Sequence, residues 1–268
     1  MSANNKLVML LVDGLRADTA RDTLGFLQAL NEAGRARWSN LRCELPSLSR
    51  PLYATVITGL RPLDHGIVSN AQHGLGCGET IFHDLAAQGA STAIAAYHWF
   101  FELLACQVFQ PLLHRHAVPP ALSPSVRGAA WYWEDEYPDS HLLADAEHLR
   151  RTQAPDLLFI HPMGCDHAGH QHGGESTAYA YTARKLDMAL ALLIPLWQAA
   201  GYDVLLTSDH GMSADRMHGG VQEVERDVPL IWLPHGTSAR DEAARWPVLP
   251  TTQLGLREFV LRHLSKAG

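Results

Sequence analysis

Tyr202-Asp203-Val204-Leu205-Leu206-Thr207-Ser208-Asp209-His210-Gly211-Met212 passes from a short apolar run straight into an acid and an imidazole. The run over 202–207 has the length and aliphatic texture of a strand. Just past its end, neither Asp209 nor His210 can be buried without a partner, because a desolvated polar group needs one. The same arrangement occurs twice more. Asp13-Gly14 follows the continuous apolar run 7–12, and Asp166-His167-Ala168-Gly169-His170 follows the strand-like 157–161. Continuous apolar runs suit strands covered on both faces, as in parallel sheets. Helices are expected over 18–33, 52–58, 79–88, 176–200 and 251–264, with further strands near 37–43, 91–96 and 227–233. This alternation predicts an α/β fold, a mostly parallel central sheet with helices on both faces. Ligands of such sheets gather beyond the carboxyl ends of the strands, where Asp13, Asp166 and Asp209 all fall.

A chain of 268 residues can bury one large core, so 1–268 is read as a single domain. Residues 97–150 differ in texture, with Trp99, Phe100, Phe101, Trp131, Tyr132 and Trp133 among prolines at 111, 119, 120, 124 and 138. They are expected to form a small aromatic-rich cap or pocket wall. A formal charge of -7 excludes broad binding of nucleic acid polymers, which requires a basic surface. The four cysteines show no paired spacing, against both a zinc finger and a redox motif. Neither a charged leader before a long apolar core nor a run of eighteen apolar residues is present, so a soluble cytoplasmic protein is expected. Nothing in the sequence sets the oligomeric state.

Sixteen histidines raise the prior for imidazole-ligated metal. Asp166-x-x-x-His170 and Asp209-His210 offer two carboxylates and two imidazoles, a mixed set that zinc accepts. Asp13 adds a third carboxylate, and His218, in Met217-His218-Gly219-Gly220, can return to the same place. Six such ligands exceed the needs of one tetrahedral ion and suit two divalent ions about 4 Å apart. His161, His167 and His172 crowd the region and are expected to support the site or face solvent. His235 rivals His218 but sits at a strand exit. In Pro46-Ser47-Leu48-Ser49-Arg50-Pro51, either Ser47 or Ser49 stands at the start of a helix closed by Thr58-Gly59. A hydroxyl there faces unpaired N–H groups, where a transferred phosphoryl group is favoured, although a plain helix cap explains the same serine.

The order of these blocks resembles the alkaline phosphatase superfamily, most closely its nucleotide pyrophosphatase/phosphodiesterase branch. The resemblance runs through Leu11-Val12-Asp13-Gly14, Ser49-Arg50-Pro51, Thr58-Gly59-Leu60-Arg61-Pro62-Leu63-Asp64-His65-Gly66-Ile67-Val68-Ser69-Asn70, Asp166-x-x-x-His170, Ser208-Asp209-His210-Gly211-Met212 and His218-Gly219. Asp13-Gly-Leu-Arg-Ala-Asp18 and the short step from Asp209-His210 to His218 are also similar to the phosphoethanolamine-transferring enzymes of that superfamily. The resemblance implies that Asp13, Ser49, Asp209 and His210 hold one Zn2+ and that Asp166, His170 and His218 hold the other, with Mn2+ as the alternative metal. It places the nucleophile nine residues before Thr58, at Ser49, and gives Asn70 a phosphate oxygen to bind.

Several rivals are weaker. A sulfatase needs arginine four residues after its nucleophile, where this chain has Tyr53, and no Gly-x-Ser-x-Gly elbow supports an α/β-hydrolase. A phosphomutase would carry a larger cap than 97–150, and a non-catalytic metal-binding relative would lack a ligand or nucleophile. A monoesterase would use a cation such as Arg50 beside the nucleophile. Tyr53, Tyr97, Trp99 and Phe100 suggest instead an apolar wall for the organic group of a small phosphodiester, so a metal-dependent phosphodiesterase is expected.

Overall fold

The computed structural model describes residues 5–236 and 245–265. In chain order the first half runs β1 (Lys6–Val12), α1 (Ala17–Thr23), α2 (Gly25–Glu32), β2 (Arg37–Arg42), α3 (Ser49–Thr58), α4 (Pro62–His65), α5 (Ile81–Ala87), β3 (Thr92–Tyr97), α6 (His98–Ala105) and α7 (Pro111–His114). It continues through β4 (Val126–Tyr132), α8 (Asp139–Gln153), β5 (Leu157–Ile160), α9 (Gly164–His172) and α10 (Thr177–Ala199). The last elements are β6 (Tyr202–Ser208), α11 (Glu223–Arg226), β7 (Asp227–Leu233) and α12 (Leu256–Leu264).

Seven strands form one sheet in the order β2-β7-β6-β1-β5-β3-β4. The five from β6 to β4 are parallel, and β7 and β2 close one side as antiparallel additions. The expected mostly parallel α/β sheet is therefore present. β1 and β6 are buried almost end to end, which is why β1 reads as an unbroken apolar run and β6 carries one at its centre, Val204–Leu206. Val12 is in register with Ser208 and Leu10 with Ile160, so three neighbouring strands end together.

Two expectations need correction. The helix over 18–33 is broken at Leu24 into α1 and α2. Asp187, far along the chain on α10, accepts the N–H groups of Phe26 (2.8 Å) and Leu27 (3.2 Å), a cap that local sequence cannot reveal. The segment 97–150 is not simply a cap, because β4 is the edge strand of the central sheet, pairing with β3 from Thr92–Val126 to Tyr97–Tyr132. Its Gly-Ala texture hides it: a Cβ on Gly128 would lie 2.8 Å from the Leu149 side chain of α8. Asp166 and His170 sit on α9, one helical turn apart and so on one face.

Helix α3 decides how the site is built. All ten of its residues are buried, although Ser49, Arg50, Tyr53, Thr55 and Thr58 are polar. It begins at Ser49, with Pro51 tolerated in its first turn, and ends on Gly59 at φ +70°, the left-handed geometry glycine adopts freely.

Candidate metal centre

Asp209 leaves β6, Asp13 leaves β1, and α9, carrying Asp166 and His170, follows β5, so the ligand groups rise from three adjacent strand ends. They fall into two trios, Asp13 with Asp209 and His210, and Asp166 with His170 and His218, each with its ligand atoms within 4.8 Å of one another. In the first, His210 Nε2 lies 3.4 Å from Asp13 Oδ1 and 3.2 Å from Asp209 Oδ2, and Ser49 Oγ is 3.0 Å from the same nitrogen. In the second, Asp166 Oδ1 lies 3.4 Å from His170 Nε2 and 3.6 Å from His218 Nε2. The trios adjoin: the His210 and His218 rings stack at 3.6 Å and 14°.

The three imidazoles are oriented alike. His210 Nδ1 donates to Gly211 O (2.8 Å), His170 Nδ1 to Arg216 O (2.9 Å) and His218 Nδ1 to Ser47 O (2.8 Å). A carbonyl only accepts, so each proton sits on Nδ1 and each Nε2 lone pair faces the carboxylates, as metal ligation requires. Asp13 Oδ1, Asp166 Oδ1 and Asp209 Oδ2 are buried without a hydrogen-bond partner. Lone pairs thus face lone pairs in a desolvated cluster, an arrangement that a divalent cation in each trio satisfies.

The electrostatics agree. Burial pushes the Asp166 carboxyl well up, and the charge of Asp13 adds to it; for Asp209, burial is joined by Asp13 and then Asp166. Burial acts on Asp13 in the same sense, but His161, His210 and the Tyr53 hydroxyl outweigh it and bring its pKa down to about 2. Burial lowers His210 to about 3, and it lowers His218 too, so both imidazoles are neutral at ordinary pH.

Second-row contacts fix these ligands in place. Tyr53, one turn beyond Ser49 on the same face of α3, donates its hydroxyl to Asp13 Oδ2, and His161 Nε2 lies 3.3 Å from that oxygen. Tyr132 on the edge strand donates to the His161 carbonyl at 2.7 Å. Gly14, at φ +69°, donates its N–H to Asp209 Oδ1 (3.1 Å), and a Cβ there would meet the Asp166 Cα at 2.8 Å. Tyr179 on α10 donates to the Gly14 carbonyl and accepts the Arg16 N–H. Ser47 is fully occupied: its hydroxyl donates to Gly220 O (2.9 Å) and accepts from Gly219 N (3.0 Å). It ties the His218 loop to the start of α3, which leaves Ser49 as the hydroxyl in the site.

Asn70 Oδ1 accepts the Arg50 N–H at 3.0 Å, which leaves its amide nitrogen available. Pro51 has no N–H and Leu52 N–H bonds Leu48 O, so the Ser49 N–H is the first-turn donor without a protein acceptor among the described residues. Arg50 is fully buried and bonded to Glu102 (2.7 Å), neither a free cation nor exposed to solvent. Tyr53 is fully buried as well, stacked on Phe100 at 4.5 Å, so it supports a ligand and does not line a pocket. Tyr97 is nearly buried and donates to Asp135 (2.8 Å), and Trp99 is half-buried. His161 belongs to the site's support, whereas half-buried His167 and exposed His172 line a separate cavity of about 410 Å³ on the other side of α9. His235 lies at the opposite sheet edge on Asp203. Glu102, Tyr132 and Tyr179 went unanticipated, since a single glutamate or tyrosine in a helix or strand carries no local signal of its partner.

An α/β sheet with two Asp/His trios and a hydroxyl at a buried helix start defines the alkaline phosphatase superfamily. Within it, the family model for type I phosphodiesterase/nucleotide pyrophosphatase matches residues 7–229, and the chain belongs to that family. Human GPI ethanolamine phosphate transferase 2, catalytic subunit, is 21% identical over 91% of this chain; the chain spans only 24% of that relative's length. Murine ectonucleotide pyrophosphatase/phosphodiesterase 5, solved as an inactive variant in complex with AMP, superposes with a TM-score of 0.70 at 13% identity, over 97% of this chain and 95% of its own. The C-terminal periplasmic domain of Escherichia coli EptC in complex with Zn gives 0.63 at 13% identity, over 99% and 83%. No helix among the described residues is long and apolar enough to cross a membrane.

Proposed function

We propose that this chain is a two-metal phosphodiesterase acting through a phosphoseryl intermediate on Ser49. The observation that carries the reading is Ser49 Oγ, 3.0 Å from His210 Nε2 at the start of a buried helix, beside two Asp/His trios. Asp13, Ser49, Asp209 and His210 would hold one divalent ion, and Asp166, His170 and His218 the other; Zn2+ suits the three imidazoles best. Such ions supply Lewis acidity that lowers the serine hydroxyl pKa and neutralises phosphoryl charge.

With its proton lost to solvent, Ser49 Oγ attacks phosphorus in line with the departing ester oxygen. The Ser49 O–P bond forms as the P–O bond to the leaving alcohol breaks, and the alkoxide takes up a proton from water. The Asn70 amide and the Ser49 N–H donate to the equatorial phosphoryl oxygens, whose charge grows in the transition state. Water then attacks the phosphoserine from the vacated side, restoring the Ser49 hydroxyl and releasing a monoester. Arg50 supports the diester assignment: spent on Glu102, it offers no charge for the second negative charge of a monoester.

The test is a paired assay on bis-p-nitrophenyl phosphate and p-nitrophenyl phosphate with zinc or chelator. The expected result is zinc-dependent preference for the diester, with Ser49→Ala reducing turnover at least about 10³-fold while metal content is unchanged. Preference for the monoester, or turnover retained in Ser49→Ala, would sink the reading. The family match also supports a second outcome, transfer of the phosphoryl group from Ser49 to an alcohol rather than water; it is read as a product that incorporates an added alcohol.

A further inference from the structure

Arg50 follows the nucleophile directly, yet its side chain turns away from the metal ligands. Its Nη1 donates to Glu102 Oε2 at 2.7 Å, its Nη2 donates to His73 Nδ1 at 3.1 Å, and its guanidinium carbon lies 4.4 Å from the centre of the Trp99 ring. Glu102 is equally occupied. Besides Arg50, its Oε2 accepts Gly74 N–H (3.3 Å), and its Oε1 accepts Phe109 N–H (3.0 Å). One ion pair therefore joins the first turn of α3, the loop through Asn70, His73 and Gly74, and the segment between α6 and α7. The loop is held to Arg50 at two points, Asn70 by the backbone N–H and His73 by the guanidinium.

We infer that the Arg50–Glu102 pair is a positioning device, which clamps the loop at His73 and Gly74 and so fixes the Asn70 amide opposite Ser49. It rests on the proposed reaction, in that Asn70 donates to the phosphoryl group, and it assigns Arg50 no contact with substrate. The chemistry favours arginine here. A planar fork serves a carboxylate and an imidazole at once, while an ammonium is a single point charge. A buried pair of this kind adds little to stability compared with apolar residues of the same volume, so its retention at the nucleophile calls for a geometric role. Placement matters because donors aimed at a transition state lose their effect when displaced by as little as an ångström.

Arg50→Lys keeps a charge opposite Glu102 and releases His73, so it tests the clamp without orphaning a buried carboxylate. The expected result is a kcat lower by about tenfold with KM changed less than about twofold and metal content intact. In an Asn70→Ala background, Arg50→Lys should cause no further loss, because it acts through Asn70. His73→Ala, at a half-exposed side chain, is the milder variant and should show the same non-additivity with an effect of about threefold. Amide exchange over residues 70–76 should quicken in both variants. A loss that multiplies with that of Asn70→Ala, or one confined to KM, would make Arg50 a substrate contact and overturn the clamp. If the wild-type protein turns over no phosphate ester, the proposed reaction fails; the exchange measurement still decides the clamp, and unchanged exchange over 70–76 in Arg50→Lys would refute it.

Discussion

Strand β6 carries an aspartate near each end. At the amino edge of the sheet, Asp203 Oδ1 accepts the His235 N–H (2.6 Å) and faces His235 Nδ1 (2.9 Å), while Oδ2 lies 3.0 Å from His263 Nε2. At the carboxyl edge, Asp209 Oδ2 is buried with no hydrogen-bond partner and faces an imidazole nitrogen whose own proton is on its far side. Both edges use aspartate and histidine, and both aspartates are fully buried. At one edge each carboxylate oxygen has a backbone or ring nitrogen within 3.0 Å. At the other, acceptor atoms face one another, an arrangement that a cation would satisfy. Orientation, rather than composition, separates a structural Asp–His contact from a ligand set.

Exchanging the chemistry at the two ends is the strongest way to break that comparison. Asp209→Asn should remove one metal and reduce turnover by at least about 10³-fold, while leaving the metal-free fold as stable or more so, since a buried carboxyl that is costly to ionise becomes a neutral amide. Asp203→Asn should do the reverse, lowering stability by about 1–3 kcal/mol with metal content and turnover preserved. Metal analysis and thermal denaturation of both variants check this; loss of metal from Asp203→Asn would erase the distinction. Tyr53→Phe, which removes only the hydroxyl that holds Asp13, should weaken metal binding by about 10- to 100-fold, read by competition with a chelating dye.

Acidity sharpens the contrast further. The raised carboxyls of Asp166 and Asp209 hold protons in the metal-free fold above pH 4, roughly where the unfolded chain has lost them. A proton held more tightly by the folded state means that metal-free stability falls as pH rises from about 4 toward the raised values. Metal replaces those protons, so at equal zinc concentration the stabilisation should be larger at pH 8 than at pH 5, reaching the order of 2.7 kcal/mol where zinc stands a hundredfold above Kd. An equal gain at both values would show that the carboxyls carry no proton in the metal-free fold. The smallest effect is expected from His172→Ala: this imidazole is exposed, and stability should move by less than about 0.5 kcal/mol.

The sheet is legible wherever a strand is buried on both faces, because β1 and β5 then have almost no polar residues to disguise them, and β6 keeps an aliphatic centre. β4 was missed because its packing against α8 demands small residues, and Gly128-Ala129-Ala130 resembles a loop. The residues of the candidate cluster could be read, since Asp13, Asp209 and His210 follow apolar runs and His170 lies one turn from Asp166, and the structure brings them together. What supports them could not. Tyr53 reads as a pocket aromatic until Asp13 is seen against its hydroxyl, and Arg50 reads as a phosphate-binding cation until Glu102, fifty-two residues away, takes it. Contacts of that kind depend on which helices meet, and that information is spread over the whole chain.

The ligands span the chain from Asp13 to His218, with members of both trios arriving on three separate strands. During synthesis the first of them leaves the ribosome about two hundred residues before the last. No short stretch of nascent polypeptide contains a whole trio, although Asp166, His167, His170 and His172 stand close in sequence, as do Asp209, His210 and His218. On the proposed reading, metal acquisition waits on an assembled sheet, since each complete trio joins residues that follow separate strands.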